Sequence, residues 1–325
     1  MKAMVCALLF VAAAFGANFS QPVLWEDLAD LDIFRVDDTF YYSASTMHYS
    51  PGAPILQSYD LVNWEFVGHS VPTLDWGSIY NLEGGQAYVK GIWASTLRYR
   101  KSNGLWYWIG CVQFTTTYIY TAPSVTGPWT KSGVINTCYY DCSLLIDDDG
   151  TMYVAYGGTT ISVAQLSSNG LSQVTAQTVF TSTIGAIEGS RFYKINGEYY
   201  IFNTLPANAE YVLKASSPWG PYTQKLLLKD IATPITGGGV PHQGGIVDTP
   251  SGNWYYMAFV DSYPGGRVPV LAPITWGSDG FPAITTVNGG WGTQYPYPLT
   301  SHPLSSPTGK DTLSSPLPCL CASFK

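Results

Sequence analysis

Charge is what this sequence has least of. Lys, Arg, Asp and Glu together make up 11% of its 325 residues, against about 25% in average proteins. The formal balance is −7, from 15 basic and 22 acidic side chains. Such a composition excludes nucleic acid and anionic membrane as partners, since both need a basic surface. Long apolar runs are equally scarce. Residues 1–16, MKAMVCALLFVAAAFG, combine a lysine, an apolar centre and small residues at the end. That stretch is too short for a stable span and reads as a secretory signal, so a secreted, extracellular protein is expected. Helix-period patterning is almost absent beyond it. Cysteine is sparse too. Loss of the signal removes Cys6 and leaves Cys111, Cys138, Cys142, Cys319 and Cys321, an odd number whose spacings do not resemble a metal site. One disulfide among the first three is expected in an oxidising compartment, its pairing open. There is no P-loop, no HExxH and no Ser-His-Asp order.

Aromatic residues, in contrast, are abundant: 15% of the chain, with 24 Tyr and 11 Trp. Most are expected in a β-sheet core, but their faces also suit the apolar faces of sugar rings. They fall in a pattern. A tight turn followed by an aromatic pair recurs as DDTFYY (Asp37–Tyr42), NGLWYW (Asn103–Trp108), DGTMYV (Asp149–Val154), NGEYYI (Asn196–Ile201) and SGNWYY (Ser251–Tyr256). A second turn recurs between them, as DLVNW (Asp60–Trp64), TGPWT (Thr126–Thr130), WGPYT (Trp219–Thr223) and SDGFP (Ser278–Pro282), with SSNGL (Ser167–Leu171) a weaker match. Two hairpins per repeat make four strands. Repetition at roughly fifty residues is the signature of a propeller, so the sequence predicts an all-β, five-bladed β-propeller with four-stranded blades around a central axis. Residues 1–16 would be the signal, 17–297 the propeller and 298–325 a Pro/Ser-rich, disordered tail. Asn18-Phe19-Ser20 is a glycosylation sequon.

The residues opening each repeat carry the chemistry. Counting back a similar distance from Tyr41, Tyr107, Tyr153, Tyr200 and Tyr255 reaches Asp30, Trp93, Asp141, Glu188 and His242. Equivalent positions on the innermost strands of a propeller ring the axis at one end, so these five side chains are expected in one pocket. Asp32 lies two residues beyond Asp30 and faces the same side, yet Asp30 matches the spacing of Asp141 and Glu188. Asp147, Asp148 and Asp149 read as a hairpin turn rather than a calcium loop. Arg191 or Arg267 could instead hold Glu188 in a salt bridge. Trp93, Arg267, His242 and Tyr49 are candidate substrate contacts, against a plain reading as core, surface charge or a satisfied histidine. Three carboxylates around one axis suit glycoside cleavage. One acid protonates the leaving oxygen, one carboxylate activates water, and a third raises the acid's pKa by like-charge repulsion. A sugar-binding propeller without activity, and a retaining propeller acting on sucrose or fructan, are the competing readings.

The stretch ADLDIFRVDDTFYYSASTMHYSPGAPILQSYDLVNW, together with KGIWASTLRY, DCSLLIDDDGTMYVAYG, EGSRFYKINGEYY, HQGGIVD and GGRVPVLAPITW, resembles glycoside hydrolase family 43 from about Trp25 to Tyr297. The resemblance implies an inverting hydrolase of plant hemicellulose, with Asp30 as general base, Asp141 as pKa modulator and Glu188 as general acid. It implies no required cofactor, with a structural calcium ion or a water at the axis near His242. The loops look most like fungal arabinofuranosidases that trim arabinoxylan, with β-xylosidases close behind, acting as monomers on a polysaccharide or oligosaccharide. Many members of that family continue into a C-terminal β-sandwich, where this chain has its Pro/Ser-rich tail.

Overall fold

Every tyrosine picked out by the repeats lies on the second strand of a four-stranded sheet, paired with the innermost strand. A computed structural model describes residues 17–304. Its registers place Phe34 opposite Tyr41, Arg98 opposite Tyr107, Leu145 opposite Tyr153, Tyr193 opposite Tyr200 and Val247 opposite Tyr255. The innermost strands are Asp32–Val36, Thr96–Arg100, Ser143–Ile146, Glu188–Ile195 and His242–Asp248. Each opens an antiparallel sheet whose four strands run outward in chain order. These five sheets are the blades of the predicted propeller, numbered here from the N-terminus. Among the described residues the only helical element is a single 3₁₀ turn, Ser78–Asn81.

Local chemistry explains the hairpins. Asn196 and Gly197 both adopt positive φ, 52° and 85°, which suits the tight turns that match strand twist. The outer turns repeat because an aromatic side chain closes each one on itself. Trp64 Nε1 donates to the carbonyl of Leu61, Trp129 Nε1 to Val125, and the Tyr222 hydroxyl to Pro218. Burial falls off outward. Inner and second strands are mostly buried, while the outermost strands Thr130–Ile135, Gln173–Thr181 and Thr223–Lys229 are largely exposed. Lys131, Lys225 and Lys229 stand on these edges, where charge discourages pairing with another chain.

No blade is shared between the two ends of the chain, so the ring is closed by other means. Asn18–Ser20 pairs with Gln294–Pro296 in a separate two-stranded sheet. The Gln21 side chain bonds both main-chain groups of Leu271 in blade five, and the Leu28 amide donates to the carbonyl of Arg267. Asn18, the expected glycosylation site, lies exposed on this closing strand. The predicted tail also takes part. Leu299 packs on the core that spans blades one, four and five. The His302 amide donates to Asp60 Oδ2 at 2.6 Å, and its ring meets Tyr59 edge-on at 4.9 Å. The stretch expected to be disordered from Pro298 is therefore anchored through residue 302, because the buried Asp60 carboxylate has capacity left after capping its own turn. Residues 1–16 and 305–325, with the expected signal, Cys319 and Cys321, lie outside the described residues.

Removing residues 305–325 should leave the melting midpoint within about 2 °C of the full chain. Ending the chain before Gln294 should lower it by more than about 5 °C, because the closing sheet and the buried Tyr295 go with it. Thermal melts of the two truncations check this.

Candidate active site

The residues opening the inner strands do converge. Asp30 and Asp141 stand four residues before the tyrosine's partner in their blades (34 and 145), while Trp93, Glu188 and His242 stand five before theirs (98, 193 and 247). In blades four and five the extra residue is taken up by bulges between Glu188 and Arg191 and between His242 and Gly245. All five therefore sit at the same end of the axis.

Asp30 and Asp141 owe their direction to the backbone. Both have left-handed conformations, φ 55° and 50°, uncommon for residues other than glycine. Each lies just before its inner strand, so the direction of its carboxyl is set by this turn and not by the strand's alternation. Asp30 is 4% exposed. Its Oδ1 accepts from Arg267 Nη1 at 3.0 Å and its Oδ2 from the Ser45 hydroxyl at 2.5 Å. Arg267 also lies over the Phe259 ring at 5.3 Å and reaches Met47 Sδ at 3.5 Å. It is thus held against Asp30 and does not pair with Glu188. Asp141, 6% exposed, accepts from the Gly189 amide at 3.1 Å. Burial holds its carboxyl well above the usual carboxylate range, and the charges of Asp30 and Glu188 push the same way, with Arg191 opposing. Asp141 thus stands within reach of the charges of both Asp30 and Glu188.

Glu188 is half-buried at the start of its strand. Its Oε2 accepts from the Tyr140 hydroxyl at 2.7 Å. Burial, and then Asp141, hold that phenol well above its ordinary value, so it remains a donor. Tyr140 and Asp141 are kept in place by the Cys111–Cys138 disulfide, two residues upstream. The disulfide lies among the three cysteines expected, and Cys142 is free and buried.

Asp32 is a structural group. Fully buried, it accepts from Thr96 Oγ1, the Leu97 amide and Arg98 Nη1, tying blade one to blade two. The salt bridge considered for Glu188 is absent at Arg191 as well. That side chain is fully buried and donates to the main-chain carbonyls of Asp30, Leu31, Cys142 and Ser190.

His242 is 5% exposed. Its Nδ1 bonds the Val240 carbonyl oxygen at 2.7 Å and its ring packs edge-on against Phe259. Burial lowers its pKa, so the imidazole is neutral near pH 7 and its 4.0 Å approach to Asp261 is not an ion pair there. Among the described residues no cluster of three or more His, Cys, Asp or Glu side chains could hold a metal ion. A calcium ion beside His242 would take most of its six to eight oxygens from water. Trp93 is half-buried, with its Nε1 on the Val89 carbonyl at 3.3 Å. Tyr49 is 68% exposed, on the rim of a cavity of about 230 Å³ lined also by Met47, His48, Tyr80 and Tyr88. Ser45 and Tyr140 touch the carboxylates directly but fall outside the repeat-opening positions, so spacing gave no signal for them.

A five-bladed propeller that gathers three carboxyls at one end of its axis, with Asp141 in reach of the charges of Asp30 and Glu188, defines a class of carbohydrate-processing folds. The model of glycosyl hydrolases family 43 matches residues 19–282, and the chain belongs to that family. A β-xylosidase of Formosa agariphila is 30% identical over 92% of this chain and 57% of its own length. A non-reducing end α-L-arabinofuranosidase of Bacteroides ovatus is 29% identical over 82% and 53%. The chain thus spans little more than half the length of these curated relatives. A solved family 43 hydrolase, engineered to display both endo-xylanase and exo-arabinofuranosidase activity, aligns with a TM-score of 0.87 at 51% identity, over 90% of this chain and 58% of that one.

The raised pKa of Asp141 carries a stability signature. Its proton is held more tightly in the folded than in the unfolded chain, so its contribution is complete below the unfolded value and is lost as pH rises toward the folded one. Asp141→Asn removes that loss. Its melting midpoint relative to wild type should climb as pH goes from about 4 to 7. Melts at pH 4, 5.5 and 7 measure the trend, and a flat difference would speak against a raised Asp141.

Proposed function

We propose that this chain is a secreted, inverting glycoside hydrolase that removes L-arabinofuranosyl side chains from arabinoxylan. The observation that carries the reading is the buried Asp141 carboxyl within reach of the charges of both Asp30 and Glu188, since a lectin would need aromatic faces but no such cluster. Asp30 takes a proton from a water, whose oxygen attacks the anomeric carbon. Glu188 delivers its proton to the departing oxygen as that bond breaks, leaving product with inverted configuration. Arg267 and Ser45 fix the Asp30 carboxylate, and Tyr140 fixes that of Glu188. Asp141 lies near enough to Glu188 to feel its charge, which supports its part as modulator. For the sugar, support comes from the engineered structure with exo-arabinofuranosidase activity at 51% identity. The β-xylosidase relative at 30% supports exo-xylosidase action as the second reading. The apolar, lysine-bearing residues 1–16 support secretion.

The test exploits how badly the leaving group leaves. A nitrophenolate departs without a proton, whereas a xylan hydroxyl does not. Glu188→Ala should cost roughly a hundredfold to ten-thousandfold on arabinoxylan and much less on a nitrophenyl arabinofuranoside. Asp30→Ala should damage both comparably, because water must be activated in either case. Equal losses for Glu188→Ala on the two substrates would remove it as the acid. Release of xylose alone from arabinoxylan would favour the xylosidase reading.

A further inference from the structure

The turn between the second and third strands of blade two, Leu105–Val112 and Thr116–Ala122, is built from the wrong residues for its shape. The Thr115 amide donates to the Val112 carbonyl at 3.2 Å. The two central residues, Gln113 and Phe114, both have positive φ, 55° and 57°. That is the type I′ geometry in which Asn-Gly is least costly. A bulky aromatic with φ > 0 is an outlier that folding alone does not favour. Nor does Phe114 compensate by burial, being 63% exposed. Its position is nevertheless well supported. Gln113 Nε2 donates to the Tyr80 hydroxyl at 2.9 Å, and the Cys111–Cys138 bond fastens this hairpin to the segment holding Tyr140 and Asp141.

The strained residue packs beside the phenol that bonds Glu188. The Phe114 ring lies 5.8 Å from that of Tyr140, whose hydroxyl bonds Glu188, and 6.1 Å from the indole of Trp93. Trp93, Gln113, Phe114, Tyr140 and Asp141 line one crevice of only about 10 Å³, so a sugar can meet Phe114 only on its solvent-exposed face. An acid protonates the oxygen that leaves, so the leaving sugar must lie on the Glu188 side of the scissile bond, away from Asp30 and Arg267. We infer that Phe114 is the platform on which the leaving-group pyranose, a xylosyl residue of the backbone, stacks beside Glu188. The inference rests on the glycosidase reading above. It assigns Phe114 to substrate binding on the leaving side, with no part in the chemistry of the attacked ring.

Two substrates separate the platform from the chemistry. A xylo-oligosaccharide bearing one arabinofuranosyl branch places a pyranose on the leaving side, whereas arabinofuranosyl fluoride places no ring there. Phe114→Ala should raise KM for the branched oligosaccharide about tenfold, equivalent to about 1.4 kcal/mol, and leave kcat/KM for the fluoride unchanged. Phe114→Trp, which keeps an aromatic face, should restore KM. Equal loss on both substrates, no loss on either, or failure of Phe114→Trp to restore binding overturns the assignment. Wild-type protein that hydrolyses neither the arabinofuranosyl nor the xylosyl fluoride overturns instead the glycosidase reading on which it rests.

Discussion

The buried guanidinium of Arg191 is the contact on which the site depends. It has no exposure to solvent and donates to four main-chain carbonyls in the inner strands and strand approaches of blades one, three and four. Two of those carbonyls belong to Asp30 and to the residue after Asp141. A charge in so dry a place is tolerable only when each nitrogen is hydrogen-bonded, and Asp32, whose carboxylate comes to 4.0 Å, serves blade two. Removing one partner of such a buried arrangement typically costs 3–5 kcal/mol, a large part of the total stability of an ordinary domain. The strained left-handed turns at Asp30 and Asp141, each costing about 1–3 kcal/mol, persist because this group and its neighbours over-determine them.

The same frame gives the carboxyls different surroundings although they occupy equivalent places in their blades. Asp30 meets a cation and a hydroxyl, Arg267 and Ser45. Glu188 meets a phenol held in its protonated form. Asp141 receives one main-chain amide and otherwise burial. Repetition of the fold supplies the convergence, and the individual loops supply the asymmetry. This is why equivalent positions can hold carboxylates, an indole and an imidazole without loss of the ring.

The repeat was readable because hairpin turns and aromatic pairs are local. Each tyrosine marks a fixed register with the inner strand, so counting back from it reaches the axis even where Glu188 and His242 sit beyond a bulge. What was not readable is whatever depends on approach between distant segments. Arg191 stands in EGSRF like an ordinary strand arginine, and its partners lie up to 161 residues away. Asp32 shares sequence parity with Asp30, and only the left-handed turn between strand and axis separates their tasks. The anchoring of residues 299–302 was hidden for the same reason. A Pro/Ser-rich segment has no strand period, yet it needs only one buried carboxylate and one apolar patch to be held.

Phe114 shows how far local rules can mislead in the opposite direction. Gln-Phe carries no turn signal, so the sequence offers nothing to mark a type I′ turn there; the disulfide and the Tyr80 contact impose it from outside. The conflict between residue and backbone is itself informative. A core aromatic repays its conformation with buried area, and a surface turn residue avoids strain by being small. Phe114 does neither, and its exposed face can recover that cost only when something flat and partly apolar lies against it. Its place beside the phenol that bonds Glu188 makes the leaving part of the proposed substrate the occupant that the geometry favours.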